Sequence, residues 1–200
     1  MDTRELIINE SYKLFLLKGY KEVSLKDIVE KVGLTKGAFY HHFKSKDQLF
    51  LEIADGLLVE SQNKIYHSLP TDSLKVFLNL YLERVVAYVD YFKSILIVDG
   101  ESTQGIAFFN IMFDALKLVP GFDKKMRDVH SFERELWCKV VSNARKNGEI
   151  SSNMSDMQIA RLFISITDGI GLHMILEGRM DDVPAEIFSL MVGLYNHIKS

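Results

Sequence analysis

The 200-residue chain has one cysteine, three prolines and no run of about 18 uninterrupted apolar residues. Each shortage excludes something. A lone thiol, Cys138, forms neither an internal disulfide nor a multi-thiolate metal site, so stability must come from packing rather than from crosslinks or structural zinc. Without a long apolar run no membrane partner is expected. The start, Met1-Asp2-Thr3-Arg4-Glu5, also lacks the cationic-then-apolar pattern of a secretion signal, which points to a soluble, cytoplasmic protein. Charge of one sign is missing too. The formal net charge of −3 excludes a surface that is basic all over. Residues 1–50 nevertheless carry nine Lys and Arg against seven Asp and Glu, leaving −5 for the remainder. An excess that small also fits alternating charge on solvated helix faces, so local arrangement has to decide.

What is present is helical periodicity. Apolar residues recur at three- and four-residue spacing nearly throughout, broken only by Pro70, Pro120 and Pro184, which predicts an all-α protein without internal repeats. A first helix is expected from about Arg4 to Lys18 with Ile7, Ser11, Leu14 and Phe15 on one face, ended by a left-handed Gly19. Ser24, with Asp27 three residues on, reads as a capping box opening a short second helix that Gly33 closes. Thr35 caps a third, and Ser45 with Gln48 opens a fourth that runs as a rigid rod toward Pro70. Longer helices follow over about 73–92, 103–118, 123–147, 155–177 and 184–199. Asp99-Gly100-Glu101-Ser102 has turn composition. The expected division is a three-helix head with its connecting helix over 1–60 and a larger helical domain over 61–200.

Two short capped helices joined by Val32-Gly33-Leu34 make a helix-turn-helix, the second opening on Thr35, Lys36, Gly37 and Ala38. Small residues there let the backbone come close to a double helix. A glycine inside a short helix costs about 0.8 to 1 kcal/mol against alanine, a penalty easier to understand where close approach is needed. Phe39 and Phe43 fall four apart on the opposite face and are expected in the core.

At this point a family becomes visible. The segment VSLKDIVEKVGLTKGAFYHHFKSKDQLF, residues 23–50, closely resembles the DNA-binding segment of the TetR family of bacterial regulators. The resemblance extends back through IINESYKLFLLKGY, residues 7–20, in Ile7, Ser11, Phe15, Gly19 and Tyr20, with Ser11 and Val29 standing where alanine is commoner. It implies a homodimer that binds a palindromic operator in double-stranded DNA. Thr35, Lys36, Gly37 and Ala38 would lie at the major groove, Tyr40 and His41 on phosphate or sugar, and Ser24 and Lys46 beside phosphates. Lys36 is the side chain expected to read a guanine edge, a contact worth about 1 to 3 kcal/mol.

GEI at 148–150 and QIARLFISITDGIGLHMILEG at 158–178 look like the family's penultimate helix, which pairs with the last helix and their two mates in a four-helix dimer interface. Ala160, Gly169, Ile170, Leu172, Ile187, Leu190, Met191 and Leu194 are the residues expected there, the small ones permitting close helix approach. By the same resemblance the variable middle helices enclose a small-molecule effector. Tyr88, Phe108, Phe109, Met112, Phe113, His130 and Trp137 are candidate lining residues, although aromatic and methionine side chains at helical spacing serve equally as core. Their excess over charged residues favours an apolar or aromatic ligand, whose binding would change the spacing of the two heads through the fourth helix.

Other functions have weaker support. His41 and His42 are adjacent and point about 100° apart, so with Asp47 or Glu52 they do not converge on a metal ion. No nucleophile motif, phosphate-cradling glycine loop or paired carboxylate suggests catalysis, and no metal or cofactor is expected. A nucleoid-associated or cell-division protein using the same fold without an inducer stays open, as does, more remotely, a helical enzyme.

Overall fold

A computed structural model describes residues 2–95, 97–98, 101–102 and 106–200, and the side chains of these except 92, 95, 97–98, 101–102 and 106–107. The chain is helical almost throughout, in the order α1 (Thr3–Lys18), α2 (Leu25–Val32), α3 (Lys36–His42), α4 (Lys46–Ala54), α5 (Ser61–Tyr66), α6 (Leu74–Ile95), α7 (Ile106–Leu118), α8 (Phe122–Lys146), α9 (Asp156–Glu177) and α10 (Val183–Ile198). Two two-residue strands, β1 (Ile97–Val98) and β2 (Glu101–Ser102), pair antiparallel between α6 and α7. The centre of the turn expected at 99–102, and the expected helix start at Thr103, lie outside the described residues.

Side-chain caps set the boundaries. Ser24 and Ser155 each form a complete capping box, with Asp27 and Gln158, and Thr35 and Ser45 accept from the amides of Ala38 and Gln48. Gly33 and Gly178 end α2 and α9 in the left-handed region. Gly19 differs from expectation, since at φ 76°, ψ 163° it lies in a region that only glycine occupies comfortably.

The fourth helix is not one regular rod. After α4 the chain takes a π-helical turn over Asp55–Glu60 before α5, and Ser61 Oγ donates to the Gly56 carbonyl at 2.9 Å. A wider turn leaves a carbonyl without its usual α-helical partner, and the serine hydroxyl supplies one.

The chain forms two compact units, Met1–Ser61 with Leu96–Lys125, and Gln62–Ile95 with Met126–Ser200. The segment that holds α7 therefore groups with the N-terminal helices rather than with the second half. In the first unit α7 packs on α1 and α4, around a core that includes Ile7, Phe15, Ile28, Phe39, Phe43, Leu49 and Phe50. In the second, Trp137 is fully buried, stacked on Phe163 and edge-on to Phe77 and Tyr81. Its indole donates to Tyr66 Oη, which in turn donates to the buried Glu133 carboxylate. The Glu149 carboxylate accepts from the amides of Leu74 and Lys75, capping α6, and from the Tyr195 hydroxyl on α10.

By length and composition α9 is apolar enough to cross a membrane, although Arg161 and Asp168 interrupt its apolar run. Most of it is not buried within the protomer.

Candidate nucleic-acid interface

The helix-turn-helix is built from two short helices that could not persist alone, so their caps and buried faces carry them. Ile28 and Val29 of α2, Phe39 of α3 and Phe43 just beyond it are buried, with the Phe39 and Phe43 rings 5.8 Å apart. Burying that face turns the other outward. Thr35, Lys36, Gly37 and His41 are exposed, Ala38 is half-buried, and the Tyr40 ring is 54% exposed while resting edge-on against Phe39. Six of the eight expected contact residues thus lie along one short helix and its cap.

Gly37 is not demanded by the protein. Its φ is not positive, and a Cβ added there would meet nothing closer than Thr35 Oγ1 at 3.8 Å, an ordinary contact. Alanine would fit and would favour the helix by about 0.8 to 1 kcal/mol.

Two expected contact residues are engaged internally. Lys46 does not offer a free ammonium at the start of α4, because Nζ donates to the carbonyls of Tyr20 at 2.8 Å and Val23 at 2.7 Å and lies 4.0 Å from the centroid of the Tyr20 ring. Burial there pushes the ammonium below its ordinary pKa. Ser24 has spent both of its donors on Asp27, its amide at 2.7 Å and its hydroxyl at 2.5 Å to Oδ2. These bonds hold the Asp27 carboxyl below its usual range.

Sequence reasoning missed how the neighbouring elements hold the head. Arg4 pairs with Glu52 at 2.5 Å and lies 4.9 Å from the centroid of the Phe43 ring, linking α1, α4 and the end of α3. Asp114 of α7 accepts from the Tyr20 amide at 3.2 Å. An isolated aspartate 94 residues from its partner leaves no spacing pattern to find.

Residues 7–53 match the family model described as bacterial regulatory proteins, tetR family. A comparison over nearly the whole chain agrees: the HTH-type transcriptional regulator SrpR of Pseudomonas putida is 26% identical over 208 residues, covering 97% of this chain and 84% of SrpR. The chain carries a tetR-family segment at residues 7–53. Proteins of this family are DNA-binding transcriptional regulators and not enzymes. A more local match, to the HTH-type transcriptional regulator YerO of Bacillus subtilis, is 39% identical over 64 residues, 32% of this chain and 22% of YerO. A TetR transcription regulator from Haloarcula marismortui shares the fold with a TM-score of 0.65 at 16% identity, covering 100% of this chain and 99% of its own.

The other two expected sites fare differently from the head. Of the residues assigned to a dimer face, Ala160, Ile187 and Met191 are fully buried within their own protomer, because the faces of α9 and α10 that carry them pack into the second unit's core. Ile170 and Leu194 are partly buried against that core. Gly169, Leu172 and Leu190 are exposed, together with Leu162, Leu176 and Phe188, which sequence reasoning did not name.

Of the residues assigned to an effector, Trp137 is core, its ring faces and indole N–H all occupied. Phe108, Phe109, Met112 and Phe113 belong to the first unit and Tyr88, His130 and Trp137 to the second. Within the second unit, a groove of about 310 Å3 between α6 and α10 is lined by Leu82, Glu83, Val86 and Phe188 among others, and by none of the expected residues.

Proposed function

We propose that this TetR-family regulator is a dimeric repressor that holds a palindromic operator with the start of α3 in the major groove and leaves it when a small apolar or aromatic ligand binds. The observation that carries the DNA contact is Gly37. The regulator carries a helix-weakening residue at an exposed position where its own structure has room for a Cβ, which fits close approach of a DNA backbone or base edge. Lys36 and Thr35 then face base edges, and Tyr40 and His41 reach the flanking phosphate or sugar. The candidate phosphate contacts at Ser24 and Lys46 are replaced by a positioning role for both.

The dimer would form through the exposed leucines of α9 and α10, Leu162, Leu172, Leu176 and Leu190, with Gly169 allowing close approach. A helix apolar enough for a membrane but little buried in its protomer is what a helix-pairing interface requires. The unit that holds the DNA-binding helices, about residues 1–60, would be the head, and most of 61–200 the effector and dimerisation part. Such a regulator works in the cytoplasm, beside the chromosome.

Selection of genome fragments by the purified regulator tests this reading. A dimer of this kind enriches one or a few palindromes with half-sites about one helical turn apart, 34 to 36 Å. Enrichment of many scattered sites with no shared palindrome favours a chromosome-organising protein of the same fold, and a salt-sensitive background alone overturns sequence-specific binding.

A further inference from the structure

Tyr20 is held by three elements. Its amide donates to Asp114 Oδ2 at 3.2 Å, its carbonyl accepts from Lys46 Nζ at 2.8 Å, and its ring lies 4.5 Å from Phe50 and 5.9 Å from Phe15 by centroid. The residue before it, Gly19, has φ +76°, and a Cβ there would come 3.9 Å from the same Asp114 oxygen. The loop from Gly19 to Val23 leads directly into Ser24, the cap of α2. Lys46 also holds the loop's last carbonyl, that of Val23, at 2.7 Å. Where this loop sits fixes where α2 starts, and α2 carries α3.

Two of the three elements that grip the loop, α1 and α4, lie largely within the family-matched segment 7–53, and the third, α7, lies far outside it. We propose that Asp114 is a positioning residue for DNA binding: through the Tyr20 peptide, α7 sets the orientation of the helix-turn-helix. The proposal rests on the reading that residues 35–41 contact DNA. Asp114 itself touches no DNA. It acts by supplying the acceptor for a loop amide that no helix or strand satisfies, and without that acceptor the loop is free to leave the position from which Lys46 and the α2 cap are aligned. The helix that carries Asp114 also carries Phe108, Phe109, Met112 and Phe113, so a displacement of this aromatic helix would reach the head through its packing on α1 and α4 and through the Asp114–Tyr20 hydrogen bond.

The test uses the full-length regulator, an operator fragment taken from genomic selection, and the variants Asp114→Ala and Asp114→Asn. Asparagine keeps an acceptor oxygen at the same reach; alanine does not. Asp114→Ala is expected to bind about tenfold more weakly, with the slope of log affinity against log salt unchanged because no phosphate contact is lost. Asp114→Asn stays within about twofold of wild type. Amide hydrogen exchange at Tyr20 in the free protein accelerates about tenfold in the alanine variant and not in the asparagine variant. Wild-type affinity for Asp114→Ala overturns the proposal, as does a shallower salt slope or an unprotected Tyr20 amide in the wild type. Should the alanine variant fail to fold, Asp114→Asn decides: an affinity about tenfold below wild type with Tyr20 still protected also overturns it. If the wild type selects no DNA, the underlying helix-turn-helix reading fails instead, and the Tyr20 exchange rates show separately whether the clamp exists.

Discussion

The Lys46 ammonium lies 4.0 Å from the centroid of the Tyr20 ring and donates to the carbonyl of the same residue at 2.8 Å, so one side chain fastens the start of α4 to the loop before α2. A cation over an aromatic face, with two carbonyl acceptors, is a brace rather than a free phosphate ligand. Lys46→Met is expected to destabilise the protein by about 1.5 to 3 kcal/mol in urea unfolding, the range for hydrogen bonds to a charged group. Operator affinity falls with it, but the salt slope does not change. A slope lowered by about one per protomer at unaltered stability would instead restore the phosphate contact expected from sequence.

Ser11 gives the opposite sign. It is fully buried on α1, and its Oγ has no hydrogen-bond partner among the described residues. A hydroxyl taken from water without compensation costs free energy, and alanine is the better helix former. Ser11→Ala is therefore expected to raise stability by about 1 kcal/mol, read as a higher urea midpoint at unchanged slope. A lower midpoint would show that the hydroxyl has a partner in solution.

The exposed leucines set a third expectation. The double variant Leu172→Glu, Leu190→Glu places carboxylates on a face that carries no core side chain of its own protomer, so each chain should still fold. Sedimentation should then show monomers where the wild type is dimeric, with operator binding lost as half-sites separate. A variant that remains dimeric would move the interface elsewhere.

How far the sequence could be read follows from the range of the interactions involved. Caps act within four residues, so Ser24, Thr35 and Ser45 were legible, and each opens the helix expected of it. Periodicity showed that α9 and α10 are apolar, but not which of two apolar faces turns inward. Ile187 and Met191, expected at the dimer face, are buried within the protomer. The contacts of Lys46 and Asp114 were illegible because their partners, at Tyr20 and Val23, are brought to them only by folding. The π-helical turn after α4 gave no signal either, since Gly56 and Ser61 read as tolerable residues in an ordinary helix.

A pH dependence arises in the second unit. His130 Nδ1 lies 3.5 Å from Glu133 Oε2, and that hydrogen bond, with the negative charge behind it, lifts the imidazole above its ordinary pKa of 6.5. The folded protein thus holds the proton more tightly than the unfolded chain does. The stabilisation is fully present below pH 6.5 and is lost as pH rises through the folded value. An NMR titration of His130 should give a midpoint above 6.5, lowered by Glu133→Gln. A midpoint at or below 6.5 in the wild type would contradict the pairing.

The most direct test of the central claim, that the exposed face of α3 holds the operator, is titration of the best selected fragment with wild type, Lys36→Ala and Tyr40→Ala at two salt concentrations. The account predicts a loss of about 1 to 3 kcal/mol for Lys36→Ala, with relaxed preference at one base pair in each half-site. Tyr40→Ala should weaken binding about equally for all sequences. Both variants binding the operator as tightly and as selectively as wild type would contradict it.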